Sequence, residues 1–515
     1  MVLAVIQAHH CQIVHIIAFQ QIERGRRLPE RPKAVKTQTE NAAQQNAVDR
    51  VVRDDQQRIV AEAARPLEAQ RPHTGWSEQA PAAWLTAADN AIHALGAKAS
   101  LSKVRGIGLS GHMHGATLID AAGAVLRPCM LWNDTRSAVE AAEMDADPAF
   151  RELTGNIVFP GFTAPKVAWV RKHEPEVFDR IAKVLLPKDY LRYWLTGEAV
   201  AEMSDAAGTS WLDVAQRDWS DDLLAKTGLT RDQMPRLVEG FDVSGILRDD
   251  LAATWGLPKG VVIAGGGGDN AASAVGVGVV KAGDAFVSLG TSGVLFAASD
   301  AYQPDAASAV HTFCHALPDT WHQMGVILAA ADALNWFAKT VGQNAGDLTG
   351  GLGDLKAPSR ALFLPYLGGE RTPHNDANVR GAFLHLDHGD DTEALTRTVL
   401  EGVTHAFVDN FDALKSTGTQ INRLIGVGGG TKSDYWVRAI ATALDMPVEL
   451  PVAGDFGGAF GAARLGLMAA NRVGAEVATI PQIDRVIEPD LSLTSAFRDA
   501  HARYRASYAA IKDLT

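Results

Sequence analysis

The sequence predicts an α/β protein with more than one domain. From about Asp54 onward, short β-branched runs, glycine-containing turns and helices of apolar period follow one another. The chain has 515 residues, which is more than a single hydrophobic core usually organises. Its 48 glycines are concentrated in loops that follow apolar runs. We therefore expect a two-domain enzyme whose site is built from glycine loops.

Composition excludes several classes of function. The net charge of -12 and the pI near 5.7 argue against non-specific binding to nucleic acid, which needs an excess of Lys and Arg. The cysteines, Cys11, Cys129 and Cys314, form no CxxC pair, so we predict no disulfide framework and a cytoplasmic protein. The first 21 residues contain three histidines and lack a basic start. We predict neither a signal peptide nor a membrane helix there.

The first half of the chain shows a clear order of elements. Residues 104–127 predict a strand, a glycine-punctuated loop and a strand pair turned at AAGA, which places His114 at a strand end. Residues 86–97 and 137–146 predict helices, and residues 185–197 predict a helix that Gly197 ends.

Three segments of the second half run from an apolar strand into a glycine loop: residues 261–279, 284–299 and 423–450. Backbone N–H groups in such loops can approach phosphate oxygens because no Cβ intervenes. A tight structural turn is the alternative for any one of them, but three together favour a nucleotide. Neither a Walker A motif nor a Rossmann fingerprint is present, so we expect another mode of binding.

Asp269 is the candidate catalytic acid. It follows Gly265–Gly268 directly and precedes Asn270, which presents a carboxylate from a strand end. Such a group can orient and deprotonate an attacking hydroxyl. The alternative is a helix N-cap, a common role of Asp, but the neighbouring glycine loops favour catalysis.

A histidine-rich stretch at residues 311–324 raises the question of zinc. His311, Cys314, His315 and His322 lie close together in sequence. Their spacing fits no standard zinc pattern, so we predict no metal site in this stretch.

Motifs along nearly nine-tenths of the chain resemble the FGGY carbohydrate kinases, and most closely the branch of that family specific for D-xylulose. The first family signature is intact in GFTAPKVAWVRKH at residues 161–173. The resemblance also rests on GHMHGAT, LRPCMLWNDTR, MSDAAGTSWLDV, GGGGDNAASAVGVG, SLGTSGV, FLPYLGGERTPH and GVGGGTKSDYW. The second signature, at residues 381–401, departs from the family at His385 (where Gly is usual), Ala394 and Thr398.

The resemblance implies two actin-like, ribonuclease H-like α/β domains flanking a cleft, with the sugar held mainly by the first and ATP mainly by the second. It implies that Asp269 is the general base on the terminal hydroxyl of the sugar. Met113 and His114 would line the sugar site, with Asn270 and Trp76 nearby. Trp76 is equally compatible with a packing role.

For ATP, the resemblance implies that Gly290, Thr291 and Ser292 grip the transferred phosphate. The adenosine site would include Gly428, Gly429, Gly430 and Ser433. Mg²⁺ would bridge the phosphates. The implied ligands are therefore D-xylulose, ATP and Mg²⁺, with no nucleic acid and no membrane; a homodimer is left open.

We divide the chain into four parts on this basis. Residues 1–53 are an atypical N-terminal segment, 54–250 the sugar-binding domain, 251–480 the ATP-binding domain with the catalytic Asp, and 481–515 a C-terminal helical segment.

The N-terminal segment lacks the family's phosphate motif, DxGTSxxxK. Its expected position is residues 42–49, which read AAQQNAVD, and Gly25 is the only glycine among the first 74 residues. A frameshift or wrong start is the favoured explanation, ahead of a divergent N-terminus and an artefact of cloning. If residues 1–53 are native, we expect greatly reduced kinase activity. We also expect the loss of one strand from the first sheet.

Four functions follow from these observations. The main one is phosphorylation of D-xylulose by ATP. A kinase for another ketose or polyol is the alternative within the same class, and a sugar-binding protein without turnover is motivated by the missing motif. An actin-like assembly protein rests on fold analogy alone and disagrees with the sugar-site motifs.

Overall fold

The computed structural model describes residues 1–7, 13–18, 57, 59–452 and 457–514. The described strands are short and mostly buried. In chain order they are β1 (Val2–Gln7), β2 (Ile13–Ala18), β3 (Ala61–Pro66), β4 (Glu78–Gln79), β5 (Gly106–Gly111), β6 (Thr117–Ile119), β7 (Cys129–Met130), β8 (Lys183–Leu185), β9 (Val200–Glu202), β10 (Leu212–Asp213), β11 (Asp218–Trp219), β12 (Arg236–Val238), β13 (Val243–Ile246), β14 (Val262–Ala264), β15 (Gly267–Gly268), β16 (Gly283–Leu289), β17 (Gly293–Ser299), β18 (His311–Cys314), β19 (Trp321–Ile327), β20 (Leu362–Leu364), β21 (Ala382–Leu384), β22 (Ile421–Val427), β23 (Val448–Pro451) and β24 (Ile483–Ile487).

The helices alternate with these strands, as the sequence predicts. They are α1 (Pro81–Gly96), α2 (Ala138–Asp145), α3 (Pro148–Thr154), α4 (Thr163–His173), α5 (Pro175–Phe178), α6 (Pro187–Thr196), α7 (Met203–Ala206), α8 (Asp221–Thr227), α9 (Asp249–Trp255), α10 (Asp269–Val277), α11 (Ala331–Thr340), α12 (Ala345–Gly350), α13 (Thr392–Ser416), α14 (Asp434–Leu444), α15 (Gly458–Asn471) and α16 (Thr494–Ile511). The three predicted helices of the first half overlap α1, α2 and α6, although α1 begins earlier, at Pro81, and Leu185 belongs to β8. Gly197, in the left-handed conformation, ends α6 as predicted.

The first large sheet has the order β13-β14-β5-β1-β2-β3 among the described residues, with β15 also paired to β5. Strands β1, β14 and β15 run parallel to β5, whereas β2, β3 and β13 are antiparallel to their neighbours. Every residue of β5 is buried, as expected for a central parallel strand.

The expected loss of a strand from this sheet is wrong. β1 pairs with β5 over its full length, from Val2 to Gln7, and Val2, Leu3, Ala4 and Val5 are at most 2% exposed. The reason is that a central strand needs paired backbone groups and apolar side chains. The run VLAVI supplies both without matching the family motif.

The second large sheet has the order β18-β19-β17-β16-β22-β23-β24. Strands β16, β22 and β23 are parallel, and the remaining pairs are antiparallel. In order and direction, β16, β17, β19, β22, β23 and β24 correspond to β1, β2, β3, β5, β14 and β13. The chain therefore builds the same sheet twice, and β18 is an addition to the second copy.

The sheets divide the chain after residue 268, because β14 and β15 pair within the first sheet. The chain returns to the first sheet at α15. A Cβ on Gly108 of β5 would lie 1.7 Å from the carbonyl oxygen of Ala462 in α15, so helix and strand touch through backbone atoms. The domain limits given above stay a prediction.

The strand pair predicted around AAGA is only partly formed. β6 is a strand, but within the fully described residues 117–127 its return makes a single bridge, between Ile119 and Val125. The Asp120 carboxylate closes the turn by accepting from the backbone N–H groups of Ala122 and Ala124, both at 3.0 Å. Pro128 follows, and it has no N–H with which to extend the pairing.

None of the described helices combines the length and the apolar character that crossing a membrane requires.

Candidate active site

The candidate site lies at the carboxyl ends of β5 and β15. Gly267 pairs with Ser110 and Gly268 with Gly111, so the residues that follow each strand leave the sheet side by side. The carboxyl ends of neighbouring parallel strands are a common ligand-binding edge in α/β proteins. Met113 and His114 follow β5, and Asp269 follows β15.

The turn before Asp269 has room only for glycine. A Cβ on Gly265 would lie 2.1 Å from the carbonyl oxygen of Glu239, and one on Gly266 would lie 2.1 Å from that of Leu109. Gly266 also has a φ of 79°, which favours glycine. The glycine run is therefore required to bring Asp269 down to the edge of β5.

Asp269 is the first residue of α10, and Gly268 is the N-cap. The N-cap alternative for Asp269 is thus wrong. Its Oδ1 accepts from the backbone N–H of Asn270 at 2.7 Å and from Asn270 Nδ2 at 3.1 Å. Both residues are half-buried. Because Asp269 begins α10, its carboxylate stands at the positive end of that helix.

Met113 meets this turn directly, and His114 is bonded beside it. A Cβ on Gly268 would lie 3.0 Å from Met113 Cγ and 3.1 Å from its Sδ, so the Met113 side chain packs on the backbone that precedes Asp269. His114 Nδ1 lies 2.7 Å from the carbonyl oxygen of Gly208. Since a carbonyl only accepts, Nδ1 carries the hydrogen. The structure therefore brings Met113 against the residue before Asp269 and ties the neighbouring His114 to Gly208.

His114 has a φ of 72°, in the left-handed region that is costly for a residue with a Cβ. Lys166 Nζ donates to its carbonyl oxygen at 2.9 Å, and Thr163 Oγ1 donates to the same oxygen at 3.2 Å. The ring stacks on Phe162 with centroids 4.5 Å apart. These contacts hold a strained residue in one orientation.

Lys166 and Gly208 are functional candidates that sequence reasoning missed. Lys166 is fully buried and also donates to the carbonyl oxygen of Gly161, and burial lowers its pKa to about 7. A Cβ on Gly208 would lie 2.5 Å from His114 Cε1 and 2.7 Å from Met113 Cε. Both residues lie inside recognised motifs, but only tertiary structure shows what they touch.

Trp76 lies in a separate stack. The guanidinium carbon of Arg136 is 3.4 Å from its ring centroid, and Trp169 and His73 meet it edge to face at 5.5 and 4.5 Å. These contacts favour packing for the covered face. A role for Trp76 or Asn270 in binding sugar stays a prediction.

The predicted nucleotide loops lie together on the second sheet. Gly290, Thr291 and Ser292 join β16 to β17, and Gly428 follows β22, whose Val427 pairs with Ser288. Gly428 has a φ of 90°, and its Cβ would lie 2.8 Å from the carbonyl carbon of Leu289. The two loops are thus in backbone contact.

The ends of these loops are anchored by helices. The carbonyl oxygen of Thr291 accepts from Ala330 N at 2.9 Å, and that of Gly290 accepts from Ala331 N at the same distance, at the start of α11. Gly429 is exposed, with nothing within 4 Å of a Cβ built there. Ser433 is the N-cap of α14, and its Oγ accepts from Trp436 N at 3.3 Å.

The histidine-rich stretch forms part of the core. His311 on β18 and His322 on β19 are buried and stack on Phe313 and Phe296. Among the described residues, no group of three or more His, Cys, Asp or Glu is arranged to hold a metal ion.

Comparison with known proteins identifies the family. Residues 46–276 match the N-terminal domain of the FGGY family of carbohydrate kinases, and residues 285–470 match its C-terminal domain. The chain belongs to the FGGY family of carbohydrate kinases. This confirms the resemblance and the expected actin-like fold, and it makes the protein an ATP-dependent carbohydrate kinase. The first match includes Met113, His114 and Asp269.

Relatives of known name cover most of this FGGY kinase. It is 46% identical over 463 residues to a xylulose kinase of Escherichia coli (strain K12), covering 89% of this chain and 96% of the relative. The crystal structure of a xyloylose kinase from Brucella ovis is 60% identical, with a TM-score of 0.88 over 90% of this chain and 96% of that one. A xylulose kinase structure from Rhodospirillum rubrum is 28% identical, with a TM-score of 0.86 over 99% of both chains.

Proposed function

We propose that this kinase transfers the γ-phosphoryl group of ATP to the terminal hydroxyl of D-xylulose, giving D-xylulose 5-phosphate and ADP. The observation that carries the proposal is the pairing of Gly268 with Gly111, because the residues that follow β5 and β15, Asp269 among them, then leave the same edge of the sheet. The identity of the sugar is supported by relatives named xylulose kinase at 46% identity over most of the chain.

Asp269 acts as the general base. Its carboxylate takes the proton of the C5 hydroxyl while that oxygen attacks the γ-phosphorus, and the bond from this phosphorus to the bridging oxygen of ADP breaks. The position at the start of α10 suits a carboxylate, because the helix N-terminus favours its charged form.

Met113 and His114 form the floor of the sugar site, with Asn270 and Trp76 at its border. His114 contributes a polar ring nitrogen, and Met113 contributes an apolar surface against Gly268. A few fixed polar groups on an otherwise apolar wall suit a polyhydroxylated ligand.

Gly290, Thr291 and Ser292 bind the phosphates of ATP, and Gly428, Gly429, Gly430 and Ser433 bind its adenosine. The hydroxyls of Thr291 and Ser292 and the carboxylate of Asp269 are oxygen donors of the kind that Mg²⁺ accepts. Mg²⁺ bound to the ATP phosphates would supply charge neutralisation as the phosphoryl group moves.

The test is a coupled assay of ADP release with MgATP and a panel of sugars. We expect D-xylulose to give the highest kcat/KM, ahead of other ketopentoses and of polyols such as glycerol. Turnover of another ketose or a polyol in preference to D-xylulose would reject D-xylulose as the substrate, but it would leave the assignment of kinase activity intact.

A sugar-binding protein of impaired activity is the second candidate. It is favoured by residues 8–12, which join β1 to β2 and read AHHCQ, with neither glycine nor acid. The predicted position of the phosphate motif, residues 42–49, lies outside the described residues. Calorimetry that detects D-xylulose binding, together with no ADP release at saturating MgATP, would favour this candidate.

A further inference from the structure

A buried Ser–Glu pair reaches the backbone of the catalytic turn from the first domain. Glu202 ends β9 and Ser204 lies in α7, and both residues are 0% exposed. Ser204 Oγ accepts a hydrogen bond from the backbone N–H of Gly268 at 3.0 Å. Gly268 is the residue directly before Asp269, so this contact is the last side-chain tether ahead of the carboxylate.

Glu202 fixes the direction of the Ser204 hydroxyl. Ser204 Oγ donates its single hydrogen to Glu202 Oε2 at 2.8 Å, and Ser204 N donates to Glu202 Oε1 at 2.9 Å. Since the hydroxyl hydrogen is committed to the carboxylate, the oxygen lone pairs are directed to Gly268 N–H. Without an acceptor, that buried N–H would be left unsatisfied, which destabilises the turn.

The first residues of the turn are held by hydrogen bonds of their own. Gly265 N donates to the carbonyl oxygen of Asp242 at 2.9 Å, and Gly266 N donates to that of Gly240 at 2.7 Å. Arg192, on α6, donates to the carbonyl oxygen of Gly265. These bonds fix the start of the turn, whereas the pairing of Gly267 and Gly268 with β5 and the Ser204 hydroxyl hold its end.

We propose that Ser204, oriented by Glu202, is a positioning residue that sets the Gly268–Asp269 peptide and thereby aims the Asp269 carboxylate at the sugar hydroxyl. The proposal rests on the proposed function of Asp269 as the base. Its physical basis is that a misplacement of about 1 Å in a reacting group costs on the order of a hundredfold in rate. Ser204 itself touches no substrate in this account.

Ser204→Ala is the direct test, and Ser244→Ala is its matched control. Ser244 is 1% exposed, and its Oγ donates to the carbonyl oxygens of Ile263 and Ala264 at 3.0 and 3.1 Å. Both variants therefore remove a buried serine hydroxyl that bonds to the backbone of residues 263–268, but only Ser204 bonds to Gly268. We expect Ser204→Ala to lower kcat by about thirtyfold with the KM for D-xylulose changed less than threefold. Ser244→Ala should change kcat less than threefold.

An equal fall of kcat in both variants, or a fall of less than threefold in Ser204→Ala, would overturn the proposal. If Ser204→Ala does not fold, Glu202→Gln keeps the shape and weakens the orientation of the hydroxyl, and a fall of about fivefold in kcat at unchanged KM is expected. An unchanged kcat in that variant counts against Ser204.

Amide hydrogen exchange separates this inference from the proposed function. Absence of D-xylulose-dependent ADP release in the parent chain would reject the proposed kinase function. Amide exchange reports only on the hydrogen bond between Ser204 and Gly268. We expect exchange in residues 265–270 to rise about tenfold in Ser204→Ala and to stay at the parent rate in Ser244→Ala. Unchanged exchange in Ser204→Ala would overturn the inference whatever the activity.

Discussion

The two large sheets have the same strand order and direction but carry different chemistry at equivalent turns. After β5 of the first sheet come Met113 and His114, whereas after β22 of the second come three glycines, Gly428–Gly430. The first turn presents side chains, which suit a sugar, and the second presents bare backbone, which suits phosphate or nucleotide. Under the proposed function, one architecture would serve two ligands through the residues at its turns.

The helix that follows β14 and β15 differs in the same way from the helix that follows β23. α10 begins with Asp269 and α15 begins with Gly458, so only the first presents an acid. The two helices pack on each other, and a Cβ on Gly461 of α15 would lie 1.6 Å from the carbonyl oxygen of Ala272 in α10. The second helix therefore supports the first instead of repeating its chemistry.

The strongest test of this asymmetry is Asp269→Asn. The substitution keeps the shape and removes the base, so we expect kcat to fall by about a thousandfold while calorimetry still detects binding of D-xylulose. Asp249→Asn is the control, because Asp249 also begins a helix, α9, but pairs with Lys259 at the surface. Turnover of Asp269→Asn within tenfold of the parent chain would refute the role of Asp269.

The segment between β1 and β2 can be given the sequence of its counterpart between β16 and β17. Residues 289–293, LGTSG, span the turn from β16 to β17, whereas residues 8–12, AHHCQ, follow β1. Replacing residues 8–12 with LGTSG should raise kcat by about a hundredfold, because glycine N–H groups without a Cβ admit phosphate oxygens.

A swap of residues 8–12 to five alanines is the control and should give no gain. The prediction fails if the parent chain already matches the kcat of the Escherichia coli xylulose kinase in the same coupled assay.

Gly428→Ala tests the backbone character of the nucleotide loop. Its φ of 90° and the 2.8 Å approach to Leu289 leave no place for a Cβ. We expect the KM for MgATP to rise about tenfold, with the KM for D-xylulose unchanged. Gly350→Ala is the control, since nothing lies within 4 Å of a Cβ there and its φ lies outside the left-handed region. Equal effects on both substrates would contradict separate ligand sites on the two sheets.

Lys166→Met tests the turn after β5, which carries Met113 and His114. The variant removes the donor that holds the carbonyl oxygen of His114, so we expect the KM for D-xylulose to rise about fivefold and the KM for MgATP to stay unchanged. Lys183→Met is the control, because Lys183 also donates to two backbone carbonyls, those of Asp232 and Met234, but lies elsewhere. An unchanged sugar KM in Lys166→Met would show that His114 needs no such support.

The smallest expected effect concerns a second left-handed histidine. His385 has a φ of 60°, is exposed and stands where the family signature has glycine. His385→Gly should relieve about 0.5–1 kcal/mol of strain after the entropy cost of glycine, raising the thermal midpoint of unfolding by about 2 °C. His388→Gly, at an exposed position outside the left-handed region, should not raise it. A lowered thermal midpoint in His385→Gly would contradict the claim that the backbone at His385 is strained.

Much of the fold and of the site followed from the sequence because the signals are local. Glycine runs after apolar strands, the helix stop at Gly197 and the order of motifs each depend on a few consecutive residues. They predicted the α/β class, the glycine loops and Asp269 as a candidate acid, whereas the family resemblance implied the roles of Met113 and His114. The family resemblance added the ligands that these residues would meet.

Other features depended on residues far apart in the chain. The sequence predicted a missing strand, yet β1 forms because any buried apolar run can pair with β5. Ser204, Lys166 and Gly208 touch the site through contacts that span 64, 52 and 94 residues. Sequence determined which chemistry each turn carries, because that is a property of the residues themselves. Tertiary structure alone decided which turns meet and what holds them, because hydrogen bonds between distant segments leave no local pattern.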